Sequence, residues 1–131
     1  MIAVDTNVLV RFLTRDDEAQ FKKAVKLFKE PRLFVSESVL LETEWVLRYA
    51  YEFSPDAVMQ AFRKLLGLPQ VVVGNAQKMK RIIDWHEQGL DFADAMHLAN
   101  GESGGCSELV TFDKKFVKQA KERGECVVRA V

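Results

Sequence analysis

A chain of 131 residues is long enough to bury a substantial core and too short for two domains of ordinary size, so a single domain over 1–131 is expected. With 48% apolar and 29% charged residues the balance is that of an ordinary soluble globular protein. Formal net charge is zero, so no global field attracts a polyanion, and any such site has to be a local basic patch.

Five short apolar runs, at 2–4, 33–35, 71–73, 109–112 and 127–128, read as strands. Most are continuous and valine-rich, the pattern of strands buried on both faces. Between them the apolar spacing turns helical. Residues 17–29 place Phe21, Ala24, Val25 and Phe28 on one face with lysines opposite, and Pro31 closes the segment. Ser36 or Ser38 can cap a helix through Leu41, Trp45 and Tyr49. Ser54-Pro55 is a cap with proline at the first helical position, opening 56–66. Asn75 can cap 76–87, which stops at Gly89, and 92–100 and 114–123 complete the set, the last ending at Gly124. Strands alternating with helices predict a three-layer α/β/α sandwich around a mostly parallel sheet of about five strands. In such sheets, sites collect at the carboxyl ends of the strands.

Four acids break the rule that helical carboxylates lie on the wet face. Asp5 ends the first strand in VDTN, where either a helix cap or a metal ligand fits. Glu42, in VLLETEWVL, shares a stripe with Val39, Val46 and Tyr49, which predicts a buried carboxylate in need of a partner; its neighbour Glu44 is expected in solvent. Asp94, in GLDFADAMHLANG, shares its face with Leu90 and Leu98. Asp91, three residues earlier, suits a cap, with a water-mediated or supporting role at a metal as the alternative. Asp113 ends the strand ELVTFD as Asp5 ends the first, and the same two readings apply. Together, two acids at strand ends and two on inward helix faces can converge on one sheet edge. Clustered carboxylates repel and call for a cation. Oxygen ligands without a Cys/His cluster point to Mg²⁺ or Mn²⁺ rather than zinc. Metal-activated water attacking a phosphodiester is the chemistry that follows.

At these residues the sequence resembles the PIN domain, and more closely the VapC-type ribonuclease toxins of toxin–antitoxin pairs. VDTNVLVRFL, SESVLLETEWVL, DFADAMHLA and LVTFDKKF carry the resemblance, in family order over essentially the whole chain. It implies a PIN-like fold, catalytic and metal-binding roles for Asp5, Glu42, Asp94 and Asp113, and RNA cleavage with Mg²⁺ or Mn²⁺. It implies supporting roles for Thr6, Asn7, Ser36 and Thr111, which would orient the carboxylates. It also implies a cognate antitoxin as partner, with homodimerisation.

Around that core, His97 reads as a structural or supporting histidine rather than a general base. Arg11, Lys114 and Lys115 lie close in sequence to the proposed acids and are candidates for RNA phosphate contact, with a solvated surface charge as the alternative. The aromatic crowd Trp45, Tyr49, Tyr51 and Phe53 is expected mainly in the core, with a partner surface as the alternative. Cys106 and Cys126 show no CxxC spacing and read as reduced thiols. No apolar stretch reaches the roughly 18 residues of a membrane span and no signal pattern opens the chain, so a cytoplasmic protein without a membrane partner is expected. Two other functions compete. One is a non-catalytic PIN-like module that binds RNA or protein, against which the intact quartet stands. The other is an aspartyl-phosphate phosphatase or receiver, against which stand Asn7 at the third position of the motif and Gly74-Asn75 after the middle strand.

Overall fold

A computed structural model describes all residues, 1–131, as two compact units, Met1–Ala76 and Gln77–Val131. In chain order the first unit holds β1 (Ile2–Ala3), α1 (Thr6–Thr14), α2 (Glu18–Leu27), β2 (Leu33–Phe34), α3 (Glu37–Tyr49), α4 (Pro55–Leu66) and β3 (Val71–Val72). Helix α5 (Ala76–Glu87) begins at the division. It is followed by α6 (Phe92–Ser103), β4 (Glu108–Thr111), α7 (Lys114–Gln119) and β5 (Val127–Ala130).

All five expected strands form, and every pairing is parallel. In the first unit β2 is central between β1 and β3, with Ala3 opposite Phe34 and Phe34 opposite Val72. In the second, β4 pairs with β5 over four residues, from Glu108 opposite Val127 to Thr111 opposite Ala130. Burial on both strand faces is not what the structure shows. Leu33 and Val35 are fully buried, but Ile2 and Val110 are exposed and Val127 is 61% exposed. A valine run fits a half-buried pleated surface as well as one buried on both faces, so it does not fix how many faces are covered.

Short polar residues set the helix starts as their chemistry dictates. Asp17 accepts from the Gln20 N–H, Ser36 from Val39 and Ser54 from Ala57, each meeting a donor that the first helical turn leaves without a partner. Ser36, not Ser38, is the cap of α3. Helix α6 runs three residues beyond its expected end. Gly101 lies inside the helix, where a Cβ would stand at an ordinary contact distance of 3.5 Å from Cys126 Sγ. Helix α7 is shorter than expected and gives way to a turn in which Gly124 takes φ +72. A side chain at Gly124 would overlap the Glu102 carboxylate.

Within the first unit the core is built from Leu9, Leu40, Leu47, Met59, Phe62 and Leu65, and Phe12 stacks on Phe28 at 3.8 Å between ring centres. In the second it is built from Ile82, Ile83, Phe92, Ala95, Leu98 and Phe116. Both cysteines are free thiols, Cys106 exposed and Cys126 buried, and burial pushes the Cys126 thiol up. No helix is long and apolar enough to cross a membrane.

Candidate metal centre

The candidate acids divide between the units. In the first, parallel register carries the chain off the ends of β1 and β2 at Asp5 and Ser36. Asp5 is exposed and caps α1, its Oδ1 accepting from the Val8 N–H at 3.1 Å. Oδ2 takes no part in that bond. Thr6 is buried in the first turn, and Asn7 is exposed, lining a cleft of about 220 Å³ between α1 and α2 with Arg11 and Gln20. Ser36 Oγ is spent on the Val39 N–H at 3.3 Å and lies 3.0 Å from Ser38 Oγ.

Glu42 and Glu44 exchange their expected places. Glu42 is exposed, whereas Glu44 is 2% exposed. The apolar stripe of α3 is broad, and its buried centre is Leu40, Thr43, Glu44 and Leu47, about a 100° step around the helix from Val39, Val46 and Tyr49. Buried Glu44 is matched by Arg48 one turn on. Nε and Nη2, the two nitrogens of one guanidinium edge, donate to the carboxylate, the Nη2 contact at 3.1 Å, and Glu44 in turn raises the Arg48 pKa. The Glu-to-Arg spacing of four residues was the available signal.

Arg11 is also committed within the fold. Its Nη1 donates to both Asp16 oxygens at 3.1 and 3.2 Å and to the Tyr51 hydroxyl at 2.9 Å, and its Nε donates to Gln20. Tyr51 completes the ring by donating to Asp16 Oδ2 at 2.6 Å. The Tyr51 hydroxyl above all, then the Thr14 hydroxyl and Arg11, holds the Asp16 carboxyl below the usual aspartate range. This cluster explains Arg11 structurally and ties the α1–α2 turn to the chain leaving α3. Neither Asp16 nor Tyr51 stood out in the sequence as its partner.

In the second unit three of the candidate acids come within electrostatic reach. Asp91 caps α6, its Oδ1 accepting from the Asp94 N–H at 3.1 Å, so the cap assignment of Asp91 is observed directly. Asp94 is half-buried. Burial first, then the charges of Asp91 and Asp113, raise its pKa above the usual range, while His97 opposes them. Asp113 is exposed and caps α7 through Oδ1, which accepts from Lys115 N–H at 2.9 Å and Phe116 N–H at 3.2 Å. Thr111 Oγ1 accepts from the Asp113 N–H at 3.0 Å, fixing the backbone from which that carboxylate projects. Lys114 and Lys115 are exposed beside it. No group of three or more His, Cys, Asp or Glu side chains is placed to hold a metal ion.

The family model for the PIN domain matches residues 2–122, spanning parts of both units and all four candidate acids. The chain belongs to the PIN domain family. Among solved structures it is similar to VapC20 of Mycobacterium tuberculosis, a toxin that cleaves the sarcin–ricin loop. That similarity has 24% identity and a TM-score of 0.44, covering 88% of this chain and 92% of that one. It is also similar to VapBC2 of Rickettsia felis, solved bound to a DNA fragment from its promoter. There the identity is 14% and the TM-score 0.39, with 100% and 99% of the two chains covered. No curated protein sequence matches the chain.

Proposed function

We propose that this protein is a Mg²⁺- or Mn²⁺-dependent endoribonuclease acting as the toxin of a VapC-type toxin–antitoxin pair. The observation that carries the reading is the PIN-family match over 2–122, a span that includes Asp5, Glu42, Asp94 and Asp113. The donor set fits a hard divalent cation: every candidate ligand is a carboxylate, and Asp91, Asp94 and Asp113 are like charges held near one another. When bound, Mg²⁺ or Mn²⁺ supplies Lewis acidity toward water and the phosphodiester.

The chain's own residues do the positioning. Asp5 and Asp113 each spend Oδ1 on a helix N-terminus, which locks the carboxyl group and leaves Oδ2 to face a ligand. Asp91 fixes the first turn of α6 and with it Asp94, while Thr111 fixes the backbone at Asp113. Glu42, open to solvent, supplies a carboxylate where cation and substrate have access. Ser36 starts the helix that carries Glu42. The proposed partner, the cognate antitoxin, finds an aromatic surface on α3, where Trp45 and Tyr49 are 57% and 61% exposed with ring centres 5.1 Å apart. A homodimer is the proposed assembly.

The test is cleavage of RNA by purified protein with Mg²⁺ or Mn²⁺ and with chelator. Asp5→Asn and Asp94→Asn are expected to lose cleavage by at least about a hundredfold with unchanged circular dichroism. Metal-dependent cleavage retained in both variants would overturn the assignment. A folded wild type inert with every divalent cation would favour the non-catalytic PIN-like module.

A further inference from the structure

We propose that Phe112 and the lysines of α7 and of the turn that follows it form a binding track for single-stranded RNA, with Phe112 stacking a base beside Asp113 and Lys114, Lys118 and Lys121 following the phosphates. This rests on the nuclease reading and names where its substrate lies.

Three observations carry it. First, Phe112 is 85% exposed, the most exposed of the large apolar side chains, and it sits between Thr111 and the cap residue Asp113. A phenyl ring left in water at the end of a strand gains nothing for the fold. Second, α7 and the turn after it divide cleanly. Phe116 and Ala120 are buried, while Lys114, Lys115, Lys118 and Lys121 are all exposed, with no acid between 114 and 121. Their ammonium groups form no ion pair. In a chain of zero net charge, residues 112–123 gather five cations, counting Arg123, against Asp113 and Glu122. Third, the cations border open space rather than covering the core. Lys114, Lys118, Lys121 and Arg123 rim a groove of about 570 Å³ whose apolar lining includes Val117 and Val128. Lys115 and Lys118 border a second groove of about 410 Å³.

The geometry fits a strand rather than a point anion. Lys114 and Lys118 recur at i and i+4 on one face of α7, about 6 Å apart along its axis at 1.5 Å per residue, and Lys121 follows in the turn after the helix. The stretch starts at a proposed ligand, Asp113, and leads away from it. A ring can stack only on a base free of its own helix, so the track selects single strands, the pairing of aromatic platform and cationic groove used for unpaired nucleic acid. An acidic protein segment would meet the lysines and leave Phe112 unused.

The test is fluorescence anisotropy of a labelled single-stranded oligoribonucleotide pool in EDTA, across a salt series, with a matched duplex and polyglutamate as competitors. Lys118→Ala with Lys121→Ala is expected to weaken binding about tenfold and reduce the slope of log K against log salt by about 1.4. Phe112→Ala is expected to weaken binding by about fivefold or more with the salt slope unchanged, and Phe112→Trp to retain it. The exposure of these side chains predicts unchanged melting temperatures, which the same samples report. A wild type that binds and cleaves RNA while the double lysine variant and Phe112→Ala bind as it does overturns the track and leaves the nuclease standing. A wild type that binds through these residues but cleaves nothing leaves the track and removes the nuclease. A wild type that neither binds nor cleaves overturns both, and displacement by polyglutamate or duplex as readily as by single strand overturns the track.

Discussion

An aspartate at a helix start has two carboxyl oxygens, and the helix needs only one. That arithmetic makes the observed cap compatible with the proposed ligand role at Asp5 and Asp113, since Oδ1 of each accepts from backbone N–H groups and Oδ2 takes no part in those bonds. The sequence could place both residues at strand ends from local pattern alone, but the division of labour between two oxygens is visible only in coordinates. Asp16 shows the opposite outcome, a carboxylate wholly absorbed by structure through Tyr51, Thr14 and Arg11. Its folded pKa lies below its unfolded one, so its stabilisation is complete above the usual aspartate range and is lost as pH falls through the folded value. Thermal melting followed from about pH 6 down to about pH 3 should therefore fall more steeply for the wild type than for Asp16→Asn. Parallel curves would show that the cluster contributes nothing to folding.

Helix α3 shows why elements are easier to read than faces. Its start at Ser36 and the start of α4 at Ser54-Pro55 follow from caps a few residues long, and so were legible. Its orientation was not. Apolar residues occupy more than half its circumference, so the stripe has no unique centre, and a 100° error exchanges Glu42 with Glu44. Trp45 and Tyr49, counted toward the core, are largely exposed for the same reason. The two glutamates now separate by experiment. Arg48→Met leaves the Glu44 carboxylate buried without its partner and should cost about 3 kcal/mol in urea unfolding. Glu42→Gln, on the exposed side, should change stability by less than about 0.5 kcal/mol while abolishing metal-dependent cleavage. A large stability loss in Glu42→Gln would remove the reason to treat that residue as functional.

Over the whole molecule, zero net charge was a correct sum and a poor map, because it hides a basic surface on α7 and a set of mutually repelling acids around Asp94. Periodicity cannot disclose either, since both depend on which elements the chain folds together. The order of strands and helices was legible because each is local, and the candidate acids were legible through family motifs more than through burial. A cation that binds the native carboxylates and not the unfolded chain links metal binding to folding and stabilises the fold by mass action. At ten times its dissociation constant, Mg²⁺ or Mn²⁺ should add about 1.4 kcal/mol and raise the melting temperature, and the gain should shrink on acidification as the carboxylates take up protons. Asp5→Asn and Asp94→Asn should each melt cooperatively yet lose that increment. Differential scanning fluorimetry with metal titrated over each variant measures this without any RNA present. An unchanged metal increment in both variants would place the cation elsewhere on the protein.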